Sequence, residues 1–147
     1  MTDKKELTTR TLENEILNVD DQESLDRFLG QLDHAKAFAS FIDYFHSLEQ
    51  VREQSDADLC RKSGIERTYC YHILNGTKVP GRDKIIRLCI AAGLDETQTR
   101  RALEAGKSAP FYAKSRRDAV IRYAIRQHLS VVDTDILLED YGLERLE

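Results

Sequence analysis

Residues 56–76 read DADLCRKSGIERTYCYHILNG and hold the side chains with the most to offer chemically. Arg61, Lys62 and Arg67 supply cations, and Thr68, Tyr71 and His72 supply hydrogen-bonding groups beside them. Cations and donors without a paired general base suit the binding of an anionic partner, not bond cleavage. The rest of the chain offers catalysis little. It has no Walker loop, no G-x-G-x-x-G, no H-E-x-x-H and no nucleophile elbow. Asp133 and Asp135 fall on different faces of a helix, and Glu139 joins only Asp135, four residues away. No enzyme is expected. Cys60, Cys70 and Cys89 stand ten and nineteen residues apart with no C-x-x-C pair, and all three fall on core positions. Neither a metal nor a cofactor is expected.

Positioning these groups requires short helices. Leu59, Cys60, Ile65, Cys70 and Ile73 are apolar or compact at helical spacing, and Gly64 between them can take a positive φ. That pattern predicts one helix from Ser55, its cap, through Lys62, and a second from Glu66 to Leu74. Asn75-Gly76 and Pro80-Gly81 then mark a loop over 77–82. Apolar spacings of three and four recur almost everywhere else. They predict helices from Leu12 to Val19, from an Asp20–Glu23 capping box through Leu32, and from Ala35 to Leu48. Further helices are expected near 83–92, 95–105, 115–128 and 132–141, with Gly93, Gly106 and Gly142 as stops. The reading is all-α, with eight or nine helices.

The chain has 147 residues and a net charge of −4, with only seven Gly and two Pro, too little punctuation for a sandwich or barrel. No run approaches the roughly 18 apolar residues of a membrane span. Met1–Glu15 is charged throughout and lacks the apolar stretch of a signal peptide. Three cysteines do not make a secreted disulfide framework, so a cytoplasmic protein with no membrane partner is expected. Charge is distributed unevenly. Residues 1–54 carry 6 basic and 12 acidic side chains, whereas residues 55–90 carry 7 and 4. A basic centre follows an acidic arm.

Residues 56–80 also resemble the Xre or Cro/repressor-type helix-turn-helix family. Gly64-Ile65, then Ile73, Asn75-Gly76 and Pro80 match its L-A-x-x-x-G-[IV]-S-x-S-x-[LIV]-S-x-I-x-N-G-x-x-x-P pattern. The resemblance covers about 35–105 and implies a lambda-repressor-like five-helix domain there. A helical arm (1–34) and a C-terminal helical extension (106–147) would flank it. It implies sequence-specific binding of double-stranded DNA by a transcriptional regulator, with 66–74 as recognition helix in the major groove. Arg67, Thr68, Tyr71 and His72 would then contact bases, and Ser55, Lys78 and Arg82 phosphates. One short helix reads few base pairs, so a homodimer is expected.

The alternative is a protein-interaction module, antitoxin-like or an adaptor, that kept the fold without specific DNA binding. The negative total charge and Asp56, Asp58 and Glu66 support it. Arg116, Arg117, Arg122 and Arg126 read equally well as a second phosphate stripe or as partners of the acidic arm. His34, His46 and His128 are read as isolated histidines without a specific role.

Overall fold

Helices in this chain begin where short polar side chains replace missing backbone partners. Ser40, Ser55, Ser115 and Ser130 each accept a hydrogen bond from the backbone N–H three residues on. Asp95 does the same inside a complete capping box with Gln98. The computed structural model describes residues 9–35 and 40–147, and among them every regular element is helical.

The chain divides into two units, 1–39 and 40–147. The first contains α1 (Thr9–Ile16) and α2 (Gln22–Ala35). The box expected from Asp20 and Glu23 forms one residue later. Asp21 accepts from the Ser24 N–H at 2.7 Å, while Ser24 Oγ accepts from the Asp21 N–H at 3.2 Å. The serine hydroxyl is short enough to reach both neighbouring backbone groups from one rotamer, so it takes the place expected of a glutamate.

The second unit holds α3 (Phe41–Ser47), α4 (Glu49–Arg52), α5 (Asp56–Ser63), α6 (Arg67–Leu74), α7 (Arg82–Ala92), α8 (Glu96–Ala105), α9 (Arg116–Arg126) and α10 (Val131–Asp140). The stripe expected as one helix over 35–48 is thus cut short. Ala35 closes α2, Phe38 lies outside the described residues, and Leu48 turns extended with ψ of 132°. Arg52 supports the break by donating to the Ser47 carbonyl oxygen. Apolar spacing persists across the break, so periodicity alone reads straight through it.

Helix α7 is central, packing against α5, α8 and α10. Its Ile85, Ile86, Leu88 and Cys89 are completely buried, as are Phe45 on α3, Ile73 on α6 and Leu103 on α8. Each such side chain contributes about 1.5–3 kcal/mol of burial. Residues 106–147, expected as an extension, belong to this same unit, with Ile121, Ala124 and Leu138 fully buried. Among the described residues no helix is long and apolar enough to cross a membrane.

Candidate functional site

Gly64 takes φ of 67°, the left-handed conformation that ends α5 and lets the chain turn into α6. A Cβ there would sit 3.0 Å from Arg87 Nη1, so a side chain would meet a strained backbone and press on that guanidinium. Beyond the turn, Glu66 caps α6 with both carboxylate oxygens. One takes the Tyr69 N–H at 2.8 Å and the other the Thr68 N–H at 3.0 Å. These backbone bonds hold the Glu66 carboxyl below its usual range, so a fixed negative charge stands at the head of α6.

Cys70, Ile73 and Leu74 of α6 face the core. Arg67 and Thr68 are exposed and Tyr71 and His72 half-buried, and the pairs 67/71, 68/71 and 68/72 stand at the three- and four-residue spacings that share a helix face. The Arg67 guanidinium lies 5.7 Å from the centroid of the Tyr71 ring, a cation–π contact that holds it over the helix. Lys78 is exposed on the next loop, and its backbone N–H donates to the His72 carbonyl oxygen at 3.0 Å. The loop therefore folds back onto the last turn of α6, bringing Lys78 beside the same surface. His46 is not idle. Its Nε2 donates to the Leu74 carbonyl oxygen at 2.9 Å, tying α3 to the end of α6.

Arg82 is engaged elsewhere. Its guanidinium meets both Asp118 oxygens, at 3.1 and 3.0 Å, bonds the Ala109 and Pro110 carbonyl oxygens, and lies over the Phe111 ring. A planar fork already matched to a carboxylate is not available to a phosphate. Ser55 likewise engages its hydroxyl oxygen in capping α5, although it remains exposed. Arg61 pairs with Asp58 along α5 at 3.2 Å, and Lys62 donates to Gln54.

Three of the four arginines of α9 also find acids within their own unit. Arg117 meets both oxygens of Asp83 at 3.1 and 2.8 Å, and Arg122 and Arg126 share Glu96 at 3.2 and 3.4 Å. The three cysteines are free and buried, and burial together with a Cys70 contact pushes the Cys60 thiol up to about 12. A thiol raised so far stays protonated at neutral pH.

No protein-family model, curated protein or solved structure matches this chain. The site therefore rests on its own geometry.

Two groups that sequence reasoning passed over join it. Tyr69 on the shoulder of α6 carries Lys84 Nζ 5.7 Å from its ring centroid. Glu144 and Glu147 line the same groove as these two. Lys84 lies fifteen residues beyond Tyr69 and Glu144 sixty beyond Lys84, so no local pattern links them.

Asp83 sets a pH dependence for this region. Burial pulls its carboxyl up, but the Arg117 guanidinium and the Glu147 N–H outweigh that and hold it below the ordinary value. A depressed folded-state pKa contributes stability that is present above the unfolded value, about pH 4, and is lost as pH falls through the folded one. Acid titration followed by circular dichroism should show this loss starting near pH ~4 in the wild type. Asp83→Asn should be less stable at neutral pH and show a flatter acid limb. Parallel acid limbs would contradict the assignment.

Proposed function

We propose that residues 40–105 form a lambda-repressor-like helix-turn-helix domain that binds double-stranded DNA sequence-specifically, as in a transcriptional regulator. The observation that carries this reading is the outward face of α6. Arg67, Thr68, Tyr71 and His72 line it, Lys78 adjoins it, and the buried face is closed by Cys70, Ile73 and Leu74.

In that reading α6 enters the major groove, where a guanidinium matches guanine O6 and N7 in bidentate fashion. The Tyr71 ring restricts Arg67 beforehand, which reduces the entropy lost when it meets a base. Lys78 neutralises backbone phosphate, and the exposed start of α5 at Ser55 lies open to another. Arg82 is left out of the phosphate set because Asp118 holds it. A homodimer doubles the contacted sequence with half-sites about 34 Å apart.

The second reading, a protein-interaction module, is favoured by the ionised Glu66 at the head of α6. One comparison separates the two. Binding selected from a random duplex library should yield a preferred site for the full chain. On that site Arg67→Ala should lose about 1–2 kcal/mol of discrimination against the wrong base. Lys78→Ala should weaken all duplexes alike and lower the salt slope by about one. Equal losses by both variants on preferred and random duplex would rule out base reading by Arg67.

A further inference from the structure

Residues 143–147 form a strap that returns from α10 to the start of α7. Its main chain is held by two arginines and two aspartates. Arg87 donates to the main-chain oxygens of Leu146 and Glu147 at 2.6 and 2.8 Å. Arg117 donates to the carbonyl oxygens of Glu144 and Arg145 at 3.0 and 2.9 Å. Asp83 and Asp135 accept from the N–H groups of Glu147 and Leu146 at 2.9 and 2.8 Å. The Leu146 side chain is buried, with 3% exposure. A segment without helix or strand pairing is thereby given a fixed path.

That path carries two carboxylates into a particular place. Glu144 and Glu147 line a groove of about 430 Å³ whose other walls include Tyr69 of α6 and Gly81 and Lys84 at the head of α7. The groove reaches α6 at Tyr69, the residue after Thr68 of the outward set, and Arg82 and Arg117 border it as well. Each anchoring hydrogen bond uses the strap's main chain, so the two glutamate side chains are not what holds it down. The charge of Glu144 reaches Arg117 all the same and helps raise that guanidinium's pKa.

We propose that the strap is autoinhibitory. It holds Glu144 and Glu147 beside the recognition helix, where a bound duplex would bring its phosphates, and so lowers affinity for nucleic acid. The inference rests on the DNA-binding reading and adds a regulatory element to it. Two like charges within one Debye length, about 8 Å at physiological salt, repel phosphate strongly at low salt and weakly at high salt. Lifting the strap, or covering its carboxylates with a cationic partner, would relieve the repulsion.

The test compares full-length wild type with the double variants E144Q/E147Q and E144K/E147K. The probe is a fluorescent random-sequence duplex of about 20 base pairs, with anisotropy read at ~50 mM and ~500 mM salt. Circular dichroism melting checks that all three proteins are folded. E144Q/E147Q should bind about tenfold more tightly at the lower salt and less than about twofold more tightly at the higher. E144K/E147K should extend the trend. Wild type and E144Q/E147Q binding with equal affinity at low salt would overturn the strap and leave the DNA reading standing. No binding by any of the three would overturn both.

Discussion

Arg87→Ala should lower the melting temperature by roughly 12 °C, which for a unit of about a hundred residues corresponds to ~3 kcal/mol. The side chain is only 15% exposed, and its guanidinium holds four groups together. It donates to the Ser63 carbonyl oxygen at 3.0 Å, and to the main-chain oxygens of Leu146 and Glu147. It also lies 3.7 Å from Asp135 Oδ2. Ser63 is the last residue of α5, so its carbonyl has no partner within the helix and draws a cation. Truncation to alanine strips that carbonyl, removes two of the strap's six main-chain hydrogen bonds and leaves the Asp135 carboxylate with the Leu146 N–H. Buried polar groups left without partners account for most of the loss. Arg87→Lys should recover less than half, because one ammonium cannot span sites that a planar fork reaches together. Arg100→Ala provides the control. Arg100 and Glu104 are about half exposed and 3.8 Å apart, so its loss should stay under about 0.5 kcal/mol. Thermal melts of the three variants decide the matter, and a fall of under about 2 °C for Arg87→Ala would contradict it.

Asp118→Ala should cost about 3 kcal/mol, read as a lower urea midpoint with an unchanged slope. The carboxylate is 5% exposed and accepts both Arg82 bonds together with the Tyr112 N–H at 2.8 Å. Alanine leaves a part-buried arginine without its counter-charge and the connection between α8 and α9 without its anchor. Arg82 keeps the Ala109 and Pro110 carbonyl oxygens and the Phe111 ring, which limits the loss. Asp118→Asn should fall between wild type and alanine, since an amide oxygen can still accept from Tyr112 but carries no charge. Amide exchange should rise over 107–115 in both variants, more in alanine. Unaltered exchange there would show that the connection is held by other contacts.

Local physics made most of the helices legible in the sequence. Ser55, Asp95 and Ser115 mark helix starts because a short side chain bonds a backbone N–H three residues away. Gly64 marks the α5–α6 turn because its positive φ excludes other residues at little cost only to glycine. Cys60, Cys70 and Cys89 read as packing residues from their apolar spacing, and all three are buried. The outward set on α6 followed from the same period.

What the sequence left open is which charge meets which. Arg82 looked like a phosphate ligand until the fold brought Asp118 to it across 36 residues. Arg117 and Arg122 looked free for DNA or for the acidic arm, yet Asp83 and Glu96 of neighbouring helices hold them. The strap of residues 143–147 carries no periodic signal, and its place against α7 comes from arginines 28 and 59 residues earlier. Caps and turns are decided within about four residues, so composition and spacing suffice for them. Ion pairs and straps are decided by which helices pack together, and only the tertiary structure fixes that.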